Sequence, residues 1–327
     1  MPQDLPPLDL FNLPPEAALR PLHAHAPVWQ LQLPGRSGTG VLKRTARTSG
    51  EAVAVWSGAL RDAGVGVVAP ERAFSPNPRT RVTSDGEERW VIYPFVEGRP
   101  YTGAPREIRS AGRLLGQIHA FEAERDFGLN VHASARAFPR ESLAMDAEVI
   151  VEHVRQAFPE QAGRLEGLLL ERTERYLQAA LPRVQGEALP LVNCSWDHKA
   201  ANLVYVTPDA PVLIDPDNAA RLPRVYDLAI TALSFPLDGT LHRGPQRLWT
   251  PEEWQRFLAG YLEFVTFTPA ERACWADVLL CAWMDESLWQ LQDSADAWQD
   301  PAQEPLLLEL ALLDAPFRLP AGGGRAS

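Results

Sequence analysis

Four polar residues between positions 197 and 215 have the types and the spacing that phosphoryl transfer from a magnesium nucleotide requires. Asp197, Lys199 and Asn202 form a D-x-K-x-x-N pattern, and Asp215 ends an apolar run thirteen residues after Asn202. In such a reaction one carboxylate orients the attacking hydroxyl, a cation meets the transferred group, and an amide and a second carboxylate hold the metal. The pattern predicts Asp197 and Lys199 as catalytic residues and Asn202 and Asp215 as Mg²⁺ ligands.

Chance is the competing explanation, because the pattern fixes three positions and Asp and Asn also favour turns. The scarcity of lysine argues against chance. Of the 31 Lys and Arg residues, two are lysines, Lys43 and Lys199. An arginine-rich chain that keeps a lysine indicates a need for a compact point charge instead of a planar guanidinium. Lys43 ends the apolar run 41–43, where a kinase strand carries its phosphate-binding lysine.

Composition and charge narrow the classes of function. The chain has 327 residues and a formal net charge of −11, which argues against nucleic acid as a partner. Its three cysteines lack the paired spacing of a metal site, so we expect a reduced, cytoplasmic protein. The first residues do not resemble a signal peptide, and no apolar run reaches the length of a membrane span. We therefore expect no membrane partner.

The elements around these residues change from strands to helices along the chain. Periodicity predicts a short helix at 15–23, strands at 29–33, 41–43, 65–69 and 90–95, and a helix at 50–63. Later segments have helical spacing, and the predicted helices are 108–121, 144–158, 162–181, 251–265, 269–292 and 304–313. His119 lies off the centre of its helix's apolar stripe, so we interpret it as structural.

Seven segments resemble the aminoglycoside phosphotransferase and choline kinase family of small-molecule kinases, and one is also similar to homoserine kinases of that group. They are VLK at 41–43, Glu51, YPFVEG at 93–98, LLGQIHAF at 114–121, SWDHKAAN at 195–202, LIDPD at 213–217 and YDLAI at 226–230. The resemblance implies an α+β, two-lobed, protein-kinase-like fold. Its N-terminal lobe, an antiparallel sheet with one main helix, would span 1–97, its mainly helical C-terminal lobe 98–318, and a flexible tail 319–327.

The resemblance also implies an ATP site between the lobes. Lys43 would position the α- and β-phosphates and would be held by Glu51, whose alternative role is to complement the dipole of its own helix. A Gly-rich turn would cover the phosphates, although an ordinary hairpin has the same composition. The residues so implied are Ser37, Gly38 and Thr39 for the phosphates and the backbone of Tyr93, Phe95 and Val96 for the adenine.

The chain departs from the family pattern close to the catalytic loop. Ser195 stands where a histidine is usual, two residues before Asp197, which is expected to alter the support of the loop but not its chemistry. Asp217 supplies a second acid two residues after Asp215, and the two are expected to share a pair of Mg²⁺ ions, with Asp217 as a ligand of the second. Asp227 resembles a buried aspartate that bonds the loop backbone, or else caps the next helix; the two roles are compatible.

Two classes of function compete, a small-molecule kinase and a regulatory kinase-fold protein that is either a protein kinase or an inactive pseudokinase. Eleven residues, 216–226, separate Asp215 from Asp227, too few for the activation segment of a protein kinase. A pseudokinase would be expected to lack one of the catalytic or nucleotide-binding residues, and none is missing. The sequence therefore favours ATP- and Mg²⁺-dependent phosphoryl transfer to a hydroxyl group of a small molecule.

The stretch 283–300 is a candidate site for the acceptor, because it contains five acidic residues, three tryptophans and no basic residue. A carboxylate beside an indole suits a ligand with an amine and an apolar ring face. The alternative is a solvated acidic helix surface with Trp in the core. The first interpretation predicts an amino alcohol, an amino sugar or an aminoglycoside, with Asp285, Glu286 and Trp289 as substrate residues.

Overall fold

The structure of the chain is a computed structural model. It describes residues 6–22, 27–32, 39–45, 50–84, 86–132, 140–160, 162–237, 242–287 and 317–320. Within these ranges the strands lie mostly in the first part and the long helices in the second, which confirms the α+β class. The lobe boundaries at 97 and 318 stay a prediction.

A five-stranded antiparallel sheet forms from the first part of the chain, with strand order β1-β2-β3-β5-β4. Leu42 pairs with Trp29 on one side and with Ile92 on the other, and these three buried residues form the core of one sheet face. Alternate residues point to opposite faces, so Lys43 lies on the other face. The strands are β1 Ala18–Pro21, β2 Val28–Gln32, β3 Thr39–Thr45, β4 Arg79–Thr83 and β5 Gly86–Pro94.

Two predictions for this part of the chain are wrong. The helix expected at 15–23 is replaced by β1, which pairs with β2 from Ala18 opposite Gln32 to Pro21 opposite Trp29. Pairing with a neighbouring strand overrides a short helical pattern, and an edge strand accommodates proline. The strand expected at 65–69 forms a single parallel bridge, Val67 to Leu213. The helix predicted at 50–63 is confirmed as α1, Gly50–Asp62.

Two small sheets place the loop 195–202, which is predicted to be catalytic, beside the segment that carries Asp215 and Asp217. In one, β7 Leu191–Cys194 pairs with β10 Ala220–Pro223. In the other, β8 Leu203–Thr207 lies between β6 Arg99–Pro100 and β9 Ala210–Leu213. The loop 195–202 leaves β7 and enters β8, and the segment 214–219 leaves β9 and enters β10. The two segments are therefore held next to each other at both ends.

Helices make up most of the remaining described chain. Helices α7 and α8 each begin with a capping box, formed by Thr250 with Glu253 and by Thr268 with Glu271. None of the described helices combines the length and the apolar composition that crossing a bilayer requires. The helices are α2 Pro105–Ala120, α3 Arg140–Ala157, α4 Ala162–Arg175, α5 Leu181–Gly186, α6 Arg224–Ser234, α7 Pro251–Tyr261 and α8 Pro269–Ala282, with π-helical turns at Tyr176–Ala180 and Trp283–Ser287.

Helices α2 and α7 cross with their main chains in direct contact, at glycines. A β-carbon on Gly112 would lie 2.0 Å from the carbonyl oxygen of Phe257. One on Gly260 would lie 2.0 Å from the carbonyl oxygen of Arg109. Only a residue without a side chain permits so close an approach. The predicted helix beyond residue 287, the helix at 304–313 and residues 321–327 of the tail lie outside the described residues.

Candidate active site

Asp197 lies in the loop between β7 and β8, and both of its carboxylate oxygens have partners. Lys199 Nζ is 3.1 Å from Oδ1, and Asn218 Nδ2 donates a hydrogen bond of 3.1 Å to Oδ2. Sequence analysis placed Lys199 here but missed Asn218. The signal for Asn218 is weak, an amide three residues beyond Asp215, because its contact depends on how the two small sheets align.

Asn202 ends the same loop in a single 3₁₀ turn, Ala200–Asn202. The side chain is buried, and Nδ2 donates a hydrogen bond of 3.0 Å to the main-chain oxygen of Asp197. The main-chain carbonyl oxygen of Asn202 accepts a hydrogen bond of 3.0 Å from the main-chain nitrogen of Ile214, next to Asp215. With the amide nitrogen bonded in this way, the side-chain oxygen is the atom that suits a hard cation.

Lys43 reaches from β3 to both acids of the segment after β9. Its Nζ is 2.6 Å from Asp215 Oδ1 and 3.1 Å from Asp217 Oδ2. Burial works against the charge of the ammonium group, but the charges of Asp215 and Asp217 outweigh it and raise the pKa of Lys43 above its ordinary value. The hydroxyl of Tyr93 donates a hydrogen bond of 2.8 Å to Asp217 Oδ1.

The structure does not bring Glu51 to Lys43. The side chain of Glu51 is 62% exposed, and its Oε1 accepts a contact of 3.4 Å from Arg89 Nε on β5. The predicted pair is thus replaced here by Lys43 with the two acids. A carboxylate in the first turn of α1 also suits the alternative role, that of complementing the helix dipole.

The structure describes only part of the protein segments that the sequence predicts to bind the nucleotide. The main-chain nitrogen of Phe95 donates a bond of 3.0 Å to the carbonyl oxygen of Thr39, so it is already engaged. Tyr93 lies within the β3–β5 ladder, opposite Val41, whereas Val96 follows the end of β5. Ser37, Gly38 and Trp289 lie outside the described residues.

Buried side chains support the catalytic loop from behind. His198, next to Asp197, bonds the carbonyl oxygen of Ala111 in α2 through Nε2 at 3.0 Å. Burial lowers the pKa of His198 to about 4, so the ring is neutral at neutral pH and donates this bond. Ser195 is itself fully buried. With Ser195 in place of the usual histidine, the loop 195–202 is anchored to α2 by the hydrogen bond of His198.

Asp227 is fully buried in the first turn of α6, and Pro223 occupies the N-cap position. The capping alternative is therefore wrong, and the expected bond from the Asp227 carboxylate to the main chain of the loop 195–202 is not found among the described residues either. Asp227 Oδ2 bonds His119 Nε2 at 2.8 Å, and His119 Nδ1 bonds the Tyr261 hydroxyl at 2.9 Å. This network ties α2, α6 and α7 together, and its ring nitrogens are both used, in keeping with a structural role for His119. The side-chain atoms of His119, Cys194 and Asp227 that could coordinate a metal ion lie within 4.8 Å of one another.

A line of aromatic rings extends from the loop 195–202 toward Asp285, one of the residues predicted to bind the acceptor molecule. Trp196, directly before Asp197, has a positive φ of 51°, and its ring centroid is 3.6 Å from that of His132. The ring centroid of His132 is in turn 6.4 Å from that of Tyr226 at the start of α6. The hydroxyl of Tyr226 bonds Asp285.

Asp285 is half-buried and is held by two tyrosines. Tyr226 donates to its Oδ2, and Tyr176, in the π-helical turn after α4, donates to Oδ1 at 3.2 Å. Burial together with the charge of Asp285 raises the pKa of both tyrosines, so both hydroxyls remain donors. Glu286 is half-buried next to Asp285, whereas Trp283 is in the core. Trp283 thus fits the solvated-surface alternative, but Asp285 does not.

The sequence matches one protein-family model, described as the phosphotransferase enzyme family, over residues 19–276. No curated protein matches the sequence significantly. Solved structures that resemble the fold include a microcompartment-associated aminopropanol kinase, at 19% identity and a TM-score of 0.56, with 94% of this chain and 97% of that one covered.

Two further similar structures contain nucleotides. An amicoumacin kinase in complex with AMP-PNP and Ca²⁺ has 14% identity and a TM-score of 0.64, with 95% of this chain and 92% of that one covered. A spectinomycin phosphotransferase in complex with ADP and spectinomycin has 14% identity and a TM-score of 0.60, with 91% and 93% covered. Likeness at these identities shows the fold, which is the two-lobed, protein-kinase-like one.

Proposed function

Because the chain belongs to the phosphotransferase enzyme family, we propose that it transfers the γ-phosphoryl group of ATP to a hydroxyl group of a small, amine-bearing molecule. The observation that carries this proposal is the contact of 2.6 Å between Lys43 Nζ and Asp215. It joins a lysine on the sheet to an acid that adjoins the loop with Asp197 and Asn202. The nucleotide complexes among the similar structures support ATP as the donor.

Each residue of this cluster has a chemical role in the proposed reaction. Asp197 orients the acceptor hydroxyl and takes its proton as the oxygen attacks phosphorus. Lys199, 3.1 Å from Asp197, places a positive charge near the transferred group. Lys43 binds the phosphates that remain on the nucleotide. These charges stabilise the transition state because they are in place before the reaction begins.

Asn202 and Asp215 would hold Mg²⁺. Their amide and carboxylate oxygens are the hard ligands that this ion prefers, and the main-chain bond between Asn202 and Ile214 fixes their segments together. When bound, Mg²⁺ supplies neutralisation of phosphate charge. Asp217 was expected as a further ligand, but both of its oxygens already have partners.

A protein substrate fits this site poorly. The segment between Asp215 and α6 contains β10 and few other residues, so the described chain offers no platform for a peptide at that position. An inactive, nucleotide-binding protein remains the alternative, and turnover distinguishes the two. A cytoplasmic location stays a prediction.

The acceptor class follows from Asp285. Because two tyrosines hold its carboxylate in one orientation, Asp285 presents a fixed negative charge at the end of the aromatic line from Trp196. A fixed carboxylate pairs with an ammonium group at a smaller entropic cost than a mobile one. Aminopropanol, in the name of one similar structure, carries both an amine and a hydroxyl.

The experiment that tests the proposal is nucleotide consumption with a panel of acceptors. Purified protein with ATP and Mg²⁺ is incubated with amino alcohols, amino sugars or aminoglycosides, and ADP is measured against a reaction without acceptor. We expect acceptor-dependent ADP formation and a phosphorylated acceptor by mass spectrometry, both lost in Asp197→Asn. Nucleotide binding without turnover for any acceptor, amine-bearing or neutral, would instead support the inactive alternative.

A further inference from the structure

We propose that Asp217, oriented by the hydroxyl of Tyr93, is the carboxylate that positions Lys43 for the nucleotide. In kinase-like sites this role belongs to a glutamate on the helix, for which the sequence offers Glu51. The inference rests on the proposed function only in naming what Lys43 binds. Tyr93 and Asp217 are therefore positioning residues, and neither has to touch the nucleotide.

The two oxygens of Asp217 have different and complementary partners. Oδ1 accepts a bond of 2.8 Å from the Tyr93 hydroxyl, and Oδ2 lies 3.1 Å from Lys43 Nζ. The side chain of Asp217 is 10% exposed, so water competes little for either oxygen. A carboxylate held at one oxygen by a buried hydroxyl presents the other oxygen in a fixed direction.

Asp215 is placed differently, which separates the roles of the two acids. Its side chain is 35% exposed, and its contacts within the described part of the chain, with Lys43 and with the main-chain nitrogen of Asp217, both use Oδ1. Asp215 therefore retains an oxygen for a metal ion. Asp217 does not, because one oxygen faces Tyr93 and the other faces Lys43.

The sheet explains why Tyr93 and Lys43 meet the same acid. In the β3–β5 ladder, Tyr93 pairs with Val41 and Lys43 pairs with Val91. Val41 and Lys43 are two residues apart on β3, so Tyr93 and Lys43 lie on one face of the sheet. Glu51 is mostly exposed on α1 and contacts Arg89, at the end of β5 farther from Tyr93.

Magnetic resonance of the lysine side chains tests the pairing without any nucleotide. The chain has two lysines, so ¹⁵N-lysine labelling gives two ammonium signals, and Lys199→Arg assigns them. We expect the Lys43 signal to shift or broaden in Asp217→Asn and in Tyr93→Phe. It should change much less in Glu51→Gln. The matched control is Tyr205→Phe, which removes another buried hydroxyl bond, to the carbonyl oxygen of Glu107.

Nucleotide affinity then tests the consequence. Tyr93→Phe preserves every charge, so its effect on the dissociation constant of ADP reports the orientation of Lys43 instead of a change in repulsion. We expect ADP to bind about three- to tenfold more weakly, both with Mg²⁺ and with a chelator present, and with Tyr205→Phe unaffected. This readout is calorimetric and does not require turnover.

Three results would overturn the inference. The first is a Lys43 signal that stays unchanged in both Asp217→Asn and Tyr93→Phe. The second is a Lys43 signal that responds most to Glu51→Gln. The third is a loss of ADP affinity in Tyr93→Phe that occurs only with Mg²⁺, which would make Asp217 a metal ligand. If the signals respond as expected but the wild-type protein binds no nucleotide, the pairing stands and the proposed function fails. The two failures are therefore distinguishable.

Discussion

Asn218 donates a hydrogen bond of 3.1 Å to the carboxylate of Asp197, and this bond connects the two segments that flank the β8–β9 hairpin. Asn218 follows the acidic pair, so this bond joins the segment with Asp215 to the loop that contains the proposed base, Asp197. Together with Lys199 it fixes both oxygens of Asp197. The orientation of the proposed base therefore depends on a residue that does not need to touch the substrate.

Removing this hydrogen bond is expected to lower turnover without weakening the binding of the nucleotide. In Asn218→Ala, kcat should fall about tenfold, the size expected for a hydrogen bond to a charged group, because Asp197 is no longer held in one orientation. KM for ATP should stay within about twofold, the scatter expected for a site that keeps its phosphate contacts. Steady-state kinetics measure both, with the exposed amide variant Gln255→Ala as control. Unchanged kcat would show that Lys199 alone orients Asp197.

Replacing Asp197 tests the base directly. Asp197→Asn is nearly isosteric, so nucleotide binding should remain while turnover falls by about two orders of magnitude or more, the usual contribution of a positioned base. Calorimetry with ADP and a steady-state assay with the preferred acceptor give the two values. Wild-type turnover in this variant would remove Asp197 from the mechanism.

Asp285 is expected to govern the acceptor and not the donor. Asp285→Asn keeps the size of the side chain and one of the two acceptors that Tyr176 and Tyr226 bond, but it removes the charge. KM for an amine acceptor should therefore rise about tenfold, and KM for ATP should not change. Glu252→Gln, on the exposed side of α7, is the matched control. A preferred acceptor that is neutral or anionic would contradict the role given to Asp285 and leave the phosphotransferase assignment intact.

The contact between α2 and α7 makes a prediction about stability. Gly112→Ala places a β-carbon 2.0 Å from the carbonyl oxygen of Phe257, so the helices must separate, at a cost of about 1–3 kcal/mol of unfolding free energy. Gly58→Ala is the control, since a β-carbon there meets nothing within 4 Å and the site is inside α1. It should stabilise the protein by about 0.5–1 kcal/mol. Urea unfolding compares the two; equal effects would refute the close packing.

His198 predicts a loss of stability in mild acid. Its pKa falls from 6.5 to about 4 on folding, because burial disfavours the charged ring. Below pH 6.5 the unfolded chain takes up a proton that the folded chain refuses, so the stabilisation is complete above pH 6.5 and is lost as pH falls toward 4. The loss over this window amounts to about 3 kcal/mol.

The measurement is urea unfolding at pH 7.5 and pH 5, on the wild type and on His198→Gln. Glutamine keeps a donor for the carbonyl oxygen of Ala111 but does not titrate, so the variant should lose less stability between the two pH values. Equal losses in both proteins would assign the acid sensitivity to other groups.

Sequence alone identified the residues that short spacing brings together. Asp197, Lys199 and Asn202 lie within six positions, and one 3₁₀ turn is enough to bring Asn202 back to the main chain of Asp197. Lys43 was recognisable because lysine is so rare in this chain. The structure places Lys43 within hydrogen-bonding distance of Asp215, although 172 residues separate them.

The contacts that sequence did not predict depend on how elements align. Glu51 was chosen as an acid on the right helix, but its direction is set by the rotation of α1 against the sheet, which a first-turn glutamate does not specify. The contact of Asn218 with Asp197 and that of the Tyr93 hydroxyl with Asp217 were missed for the same reason, since each depends on the register of neighbouring strands. The edge strand at Ala18–Pro21 was mistaken for a helix because its partner, β2, is a tertiary influence on a weak local pattern.

The glycine contact between α2 and α7 also bears on how the protein is made. Phe257 follows Gly112 by 145 residues, which a ribosome adds in about 7–30 s at ordinary rates of synthesis. For that interval the face of α2 that will receive α7 has emerged without its partner. The glycine-containing face of α2, which permits such close helix packing, is then exposed and can contact apolar segments of other polypeptides. A chaperone that shields α2 until α7 arrives would therefore raise the yield of folded protein more than one that acts after release.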